Sequence, residues 1–256
     1  MKPTLVLISL LVAACSRPPA GTVGALRHDT TSRGAALRAG PPTDTMPASG
    51  PAGTAGPRPV VVFLGTSLTA GLGLDPSDAY PAAIQRRLDS AGMALRVVNA
   101  GLSGETSAGA SRRIAWILAH TQVALLVIET GANDGLRGQD PDSVAANIRE
   151  IIALARRQHP EPRIALIQMF ALPNYGREYG RRFAELYPMV ARQERVTLLP
   201  FLLAGVAGVD SLDQADGIHP NLQGERIVTD NVWRSLRPLL DSLIPEKNPL
   251  PPRGRN

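Results

Sequence analysis

The stretch VVVFLGTSLTAGLGL, residues 60–74, begins with an apolar run that stops at Gly65-Thr66-Ser67. An apolar, β-branched run of this length is typical of a strand that is buried on both faces of a parallel sheet. A serine directly after such a strand can be a helix cap, part of a phosphate-binding loop or a nucleophile. The stretch alone favours the cap, so the remaining chain has to decide.

The same kind of apolar run recurs along the chain, with amphipathic helical patterns between the runs. The runs lie at 59–64, 94–98, 122–129, 163–169 and 196–200. The helical patterns lie at about 79–91, 107–119, 141–158, 178–194 and 221–243. Because the runs are continuous rather than alternating, we expect strands buried on both faces. This order predicts an α/β protein, a doubly wound sandwich with right-handed crossovers.

Chemically distinctive loops follow the predicted strands. In a doubly wound sheet the ligand site lies outside the carboxyl ends of the strands, so these loops are expected to form the site. After Gly65-Thr66-Ser67 they are NAGLSGETS at 99–107, TGANDGLRG at 130–138, FALPNYG at 170–176 and, beyond an intervening loop, DGIHPN at 216–221.

Several function classes are disfavoured. The segment GTSLTAGLG lacks the Gly-Lys-Ser/Thr of a P-loop, and its glycines do not fit the dinucleotide-binding fingerprint. The four histidines stand far apart in the sequence, so we expect no metal site. The net charge of +5 comes almost entirely from arginines scattered among acids, and they form no basic stripe with interleaved aromatic residues. Nucleic acid is therefore not an expected partner.

Hydrolysis by a serine needs a hydroxyl, a base, an acid that orients the base, and donors for the oxyanion. Ser67 offers the hydroxyl and a backbone N–H at a helix N-terminus. His219 follows Asp216 by three residues, which lets the carboxylate reach Nδ1 while Nε2 faces the hydroxyl. Asp210 and Asp213 are alternative orienting acids in a looser stretch.

Two further residues can supply oxyanion donors. The side-chain amide of Asn133 offers two N–H groups in a fixed plane. Gly104 has no Cβ that would keep a substrate oxygen from its backbone N–H. With the N–H of Ser67 these groups would form an oxyanion hole, although each residue taken alone is better explained as a turn residue.

Taken in this order, Ser67, Gly104, Asn133 and His219 resemble the SGNH (GDSL-type) hydrolases. The resemblance is closest to the bacterial periplasmic acyl thioesterase, lysophospholipase and arylesterase branch, through FLGTSLTAGLGL, NAGLSGETSAG, ETGANDGLRG, ALPNYGREY, LLPF and DGIHPN. It covers about 59–243 and implies a flavodoxin-like three-layer sandwich with a five-stranded, mainly parallel sheet. It also implies hydrolysis of a carboxylic ester or thioester through an acyl-enzyme, without a metal or cofactor.

The resemblance implies a role for each site residue. Ser67 is the nucleophile, His219 is the base and then the acid, and Asp216 orients His219. The oxyanion is held by the Ser67 N–H, the Gly104 N–H and the Asn133 side chain.

The resemblance also concerns the loop LPNYG, residues 172–176, which lies beside the acyl groove in this branch. Leu172, Pro173 and Tyr175 are therefore candidate substrate-wall residues, with plain loop packing as the alternative. Thr66 departs from the family, because the usual residue there is Asp. We hypothesise that the Thr66 hydroxyl keeps a local hydrogen bond while a buried charge is removed.

The two ends of the chain differ from this domain, which we place at 59–244. Residues 1–15 have a basic start and a short apolar run, as in an export signal, and their end resembles a lipobox with Cys15 as the lipidated residue. A cleaved signal peptide with an incidental Cys is the alternative. Residues 16–58 and 245–256 have the composition of a disordered tether and tail.

These observations predict a lipid-anchored hydrolase of the bacterial cell envelope, facing the periplasm, with the outer membrane favoured. An O-acetyl esterase acting on carbohydrate or peptidoglycan is the alternative within the fold, and a short polar acyl site would favour it. A non-catalytic lipoprotein that retains only the fold is the alternative from another class, and the intact set of four residues argues against it.

Overall fold

A computed structural model describes residues 58–244. The strands are β1 Val60–Gly65, β2 Arg96–Gly101, β3 Val123–Ile128, β4 Arg163–Ile167 and β5 Thr197–Leu199. The helices are α1 Ser67–Ala70, α2 Tyr80–Ser90, α3 Ser107–Ala119, α4 Ala132–Leu136, α5 Pro141–Gln158, α6 Gly176–Glu194 and α7 Leu222–Asp241, with a short 3-10 turn at Pro173–Tyr175. The predictions for Cys15, the signal peptide, the tether and the tail concern residues outside the described part, apart from Arg58.

The five strands form one sheet in the order β2-β1-β3-β4-β5, and all neighbouring strands run parallel. This is the flavodoxin-like order, in which the chain reverses its direction of winding beside the first strand. Helices flank the sheet in two groups: α3 packs against α5 and α5 against α6, whereas α2 packs against α7. The predicted three-layer α/β architecture is confirmed.

Burial along the strands follows their place in the sheet. Every residue of β1 is buried, and all but one residue of β3 are. The prediction of burial on both faces is wrong for β2, where every residue is partly or fully exposed, and for β5, where only Leu199 is buried. These two are the edge strands, so each has a neighbour on one side only.

The start of the longer helices follows from local chemistry. The Thr106 side chain accepts a hydrogen bond from the Gly109 N–H before α3, and the Asn221 side chain accepts from the Gln223 and Gly224 N–H groups before α7. Both are N-caps, which satisfy donors that the first turn leaves free. Within residues 58–244, no helix has the length and apolar character that crossing a membrane requires.

Candidate active site

Three side chains from distant parts of the sequence form a continuous hydrogen-bonded chain. His219 Nδ1 lies 2.7 Å from Asp216 Oδ2, and His219 Nε2 lies 2.8 Å from Ser67 Oγ. Ser67 is the first residue of α1, directly beyond the carboxyl end of β1. The structure thus brings the predicted nucleophile, base and orienting acid together.

The Asp216–His219 turn is held by the Asp216 carboxylate itself. Its Oδ1 accepts hydrogen bonds from the backbone N–H groups of Ile218 and His219, both at 3.0 Å. Gly217 has a φ of 67°, in the left-handed region that glycine adopts without strain. The His219 carbonyl accepts from the Gln214 N–H at 2.7 Å, which closes the loop on its other side. The position of the imidazole is therefore fixed before any substrate binds.

These same hydrogen bonds set the charge of Asp216. The N–H groups of His219, first the backbone one and then the ring one, lower the pKa of Asp216 from its usual range to about 2, with help from the Ile218 N–H. The carboxylate is therefore ionised at neutral pH and accepts a hydrogen bond from a protonated Nδ1 of His219. In that tautomer Nε2 is the acceptor, so the Ser67 hydroxyl donates to it.

The alternative acids do not take part in this arrangement. Asp213 is buried and accepts a hydrogen bond from the Gly208 N–H at 3.2 Å. Among the described residues, no hydrogen bond joins Asp210 or Asp213 to His219. The geometry favours Asp216.

The predicted oxyanion donors line one cavity together with Ser67 and His219. Asn133 Nδ2 donates to the Glu105 carbonyl at 3.0 Å, which leaves its second amide hydrogen for a ligand. Gly104 has a φ of 77°, and no atom lies within 4 Å of the position a Cβ would take. As the first residue of α1, Ser67 has no intrahelical acceptor for its backbone N–H.

This cavity has a volume of about 380 Å³, and its walls are mostly apolar. Apart from Ser67, Gly104, Asn133 and His219, its lining is dominated by large apolar side chains: Leu72, Leu136, Phe170, Leu172, Phe201 and Ile218. The groups around Ser67 therefore lie beside an extended apolar surface.

The predicted substrate wall is only partly found. Leu172 lines the cavity, whereas Pro173 and Tyr175 do not. They form the 3-10 turn, and the Tyr175 hydroxyl donates to the Leu136 carbonyl at 3.3 Å. The Tyr175 ring also packs near the Tyr179 ring, with centroids 5.3 Å apart. These contacts favour the alternative of loop packing for Pro173 and Tyr175, and their role as wall residues stays a prediction.

A buried carboxylate that the sequence analysis did not single out lies behind the nucleophile. Glu129, at the end of β3, accepts hydrogen bonds from the Thr66 N–H at 2.8 Å, the Thr66 hydroxyl at 3.0 Å and the Thr69 hydroxyl at 2.8 Å. Burial raises its pKa to about 7 against the effect of these bonds. Thr66 thus keeps a hydrogen bond, as hypothesised, but the group it binds is itself acidic. The sequence signal that could have revealed this group was a glutamate directly after an apolar run.

A second carboxylate that the sequence analysis did not single out is that of Asp134, the residue after Asn133. Asp134 is buried and accepts hydrogen bonds from the Ser107 N–H at 2.8 Å and the Ser107 hydroxyl at 2.7 Å. These two bonds connect α4, which carries Asn133, to the first turn of α3. Within residues 58–244, no group of three or more His, Cys, Asp or Glu side chains is arranged to hold a metal ion.

The comparison with known proteins agrees with this geometry. Residues 63–227, more than half of the chain, match the GDSL-like Lipase/Acylhydrolase family. The chain belongs to this family, and it is an acyl hydrolase.

Individual relatives resemble the chain over most of their own length. Esterase TesA of Pseudomonas aeruginosa is 44% identical over 180 residues, which are 70% of this chain and 89% of the relative. Thioesterase 1/protease 1/lysophospholipase L1 of Escherichia coli K12 is 35% identical over 181 residues, 71% of this chain and 85% of the relative. A crystal structure of TesA superposes with a TM-score of 0.67 at 43% identity, covering 70% of this chain and 99% of that one.

Proposed function

We propose that the protein hydrolyses carboxylic esters and thioesters with apolar acyl groups through an acyl-enzyme on Ser67. The observation that carries this proposal is the hydrogen-bonded chain from Asp216 through His219 to Ser67, which ends in an apolar cavity. Nucleophile, base and orienting group then lie in the order that acyl transfer requires.

In the acylation step the Ser67 oxygen attacks the carbonyl carbon and its proton passes to His219 Nε2. The ionised Asp216 stabilises the imidazolium that results. The tetrahedral oxyanion accepts hydrogen bonds from the Ser67 N–H, the Gly104 N–H and the free amide hydrogen of Asn133. Collapse of the intermediate breaks the bond to the alcohol or thiol, which takes the proton from Nε2.

Deacylation uses the same groups with water as the nucleophile. His219 removes a proton from the water, the hydroxide adds to the acyl carbon, and the second oxyanion is held by the same donors. The carboxylic acid leaves, and Ser67 regains its proton from His219.

The cavity argues for a longer acyl group over an acetyl group. An acetyl ester would leave most of the cavity of about 380 Å³ empty, along with its apolar wall. An apolar acyl chain would cover that wall and gain free energy in proportion to the area removed from water. The name of one relative, thioesterase 1/protease 1/lysophospholipase L1, points in the same direction.

The test is a series of nitrophenyl esters and acyl thioesters of increasing chain length, with Ser67→Ala as the control. We expect kcat/KM to rise from acetyl to a longer chain and a burst of nitrophenol when acylation outpaces deacylation. A maximum at acetyl, with activity on acetylated carbohydrate, would instead identify the O-acetyl esterase. The absence of turnover on all substrates would favour the non-catalytic alternative.

We further propose that the enzyme acts at the bacterial cell envelope, anchored by a lipid on Cys15, in the periplasm and with the outer membrane favoured. Support comes from the sequence: a basic start, a short apolar run, and the chain's sole Cys at the end of that run. Two or more acyl chains give durable anchoring, which one chain alone does not. The test compares the membrane fraction of the native chain with that of Cys15→Ser, which should be released.

A further inference from the structure

The loop that carries the Gly104 donor has little packing of its own. Leu102, Ser103 and Gly104 are all exposed, and the first buried residue after them is Glu105. An oxyanion donor acts only when it lies within hydrogen-bonding distance of the place where the charge develops. The position of this donor must therefore be set by neighbouring contacts.

Glu105 provides such a contact through an ion pair with Arg113 on α3. The two Glu105 oxygens accept from Arg113 Nε and Nη2, both at 2.6 Å. The Glu105 side chain is only 5% exposed and that of Arg113 is 25% exposed. Such a paired, two-bond contact fixes orientation as well as distance.

The same guanidinium reaches the strand ends that lead to the nucleophile. Arg113 Nη2 donates to the Ala100 carbonyl on β2 at 2.7 Å and to the Gly65 carbonyl on β1 at 3.4 Å. Gly65 precedes Ser67 by two residues. The Arg113 side chain thus connects the Gly104 loop to the backbone that leads to the Ser67 N–H, one of the proposed oxyanion donors.

Glu105 also connects to the third donor. Its carbonyl accepts the hydrogen bond from Asn133 Nδ2 at 3.0 Å that fixes the plane of the amide. The Gly104 carbonyl accepts from both terminal nitrogens of Arg137, at 3.1 and 3.2 Å. All three proposed donors are therefore linked to the Glu105–Arg113 pair. Gly104 directly precedes Glu105, and Asn133 donates to the Glu105 carbonyl. Ser67 lies two residues after Gly65, whose carbonyl accepts from Arg113.

We infer that Glu105 and Arg113 are a positioning pair for the oxyanion hole, a role that rests on the proposed function. Neither side chain lines the catalytic cavity, so the pair acts through the three donors. A largely buried ion pair contributes little net stability compared with well-packed apolar residues, so stability alone does not explain its presence here. Its effect is on the transition state, where the oxyanion exists.

The test replaces both partners at once by Glu105→Leu with Arg113→Met, so that no buried charge is left without a partner. We expect kcat for a nitrophenyl ester to fall by roughly 10- to 100-fold, less than the loss typical of deleting a donor outright. KM should change less than about twofold, because the ground-state ester makes only weak use of these donors. Arg113→Lys, which keeps the charge without the paired geometry, should lose an intermediate amount.

The exposed neighbour Arg112→Met is the matched control and should keep the native kcat. Circular dichroism and the melting temperature establish that each variant is folded, and Arg113→Lys keeps the test available where the double variant does not fold. A folded double or Lys variant with native kcat would overturn the inference while Ser67 catalysis stands. Turnover that survives Ser67→Ala would instead contradict the proposed function itself.

Discussion

His219 Nε2 lies 2.8 Å from Ser67 Oγ, although the two residues are 152 positions apart in the sequence. The contact exists because the serine follows the carboxyl end of β1 and the histidine lies in the loop before α7. The Asp216 carboxylate holds both the backbone and the ring of His219 in place, so the hydrogen-bonded chain from Asp216 to Ser67 is formed before substrate binds.

Asp216→Asn should lower kcat strongly while KM changes little. The amide cannot stabilise the imidazolium, and its NH2 face favours the wrong histidine tautomer, a change that typically costs up to about 10⁴-fold in a serine hydrolase triad. Steady-state kinetics on a nitrophenyl ester measures it. Asp210→Asn is the control with native kinetics, and a larger loss at Asp210 than at Asp216 would contradict the assignment.

The low pKa of Asp216 also determines how its contribution to the free energy of unfolding depends on pH. Its folded pKa of about 2 is below the usual unfolded value of about 3.9, so its contribution to stability is complete above the unfolded value. That contribution is lost as the pH falls towards 2. Denaturant titrations of the native chain and Asp216→Asn should therefore differ less at pH 2 than at pH 6. An equal difference at both values would disprove the shift.

Thr66→Asp should destabilise the protein and should not improve catalysis. The new carboxylate would lie beside Glu129, and two carboxylates at about 3 Å cannot both ionise, so one proton has to be retained. We expect a lower melting temperature that falls further as the pH rises, with Thr66→Ser as the mild control. A sharp rise in kcat with unchanged KM would mean that threonine had weakened the enzyme.

The buried glutamates predict that stability declines as the pH rises from about 4 to 7. Burial raises the pKa values of Glu129 and Glu225 to about 7, above an unfolded value of about 4.3. The folded state then binds more protons in this window, so the free energy of unfolding falls with pH. Glu225→Gln should flatten this slope, and the exposed Glu150→Gln should not. A slope unchanged by Glu225→Gln would contradict the raised pKa of Glu225.

Ala207→Phe should shift the substrate preference towards shorter acyl chains. Ala207 lines the catalytic cavity, so a larger side chain there reduces the apolar volume open to the acyl group. We expect kcat/KM to fall for long esters and to change little for acetyl esters. Ala204→Phe is the matched control, since Ala204 lines a neighbouring cavity instead. Equal losses for all chain lengths would indicate damage to the catalytic groups.

Much of the architecture follows from the sequence because it is encoded locally. The buried runs of β1 and β3 and the five long helices were predicted to within about three residues at each end. A helix start was expected at Ser67, but neither α1 nor α4 appeared among the helical patterns, since four or five residues carry no helical period. The exposure of β2 and β5 depends on strand order, which no single strand encodes.

The site divides in the same way. Asp216 and His219 are three residues apart, so their contact could be argued from spacing. The bonds of Glu129 to Thr66 and of Arg113 to the Gly65 and Ala100 carbonyls join segments that meet only in the folded sheet. No local pattern marks them, and only the tertiary structure shows which groups hold the nucleophile and its donors.

The most direct test of the central claim is covalent labelling of the native enzyme with a fluorophosphonate, followed by peptide mapping by mass spectrometry. The activated Ser67 hydroxyl should attack phosphorus, fluoride should leave, and the adduct should map to Ser67 with loss of esterase activity in proportion. Ser67→Ala should give neither label nor turnover. A folded, active enzyme that takes no label at Ser67, or whose label and activity survive Ser67→Ala, would contradict the account.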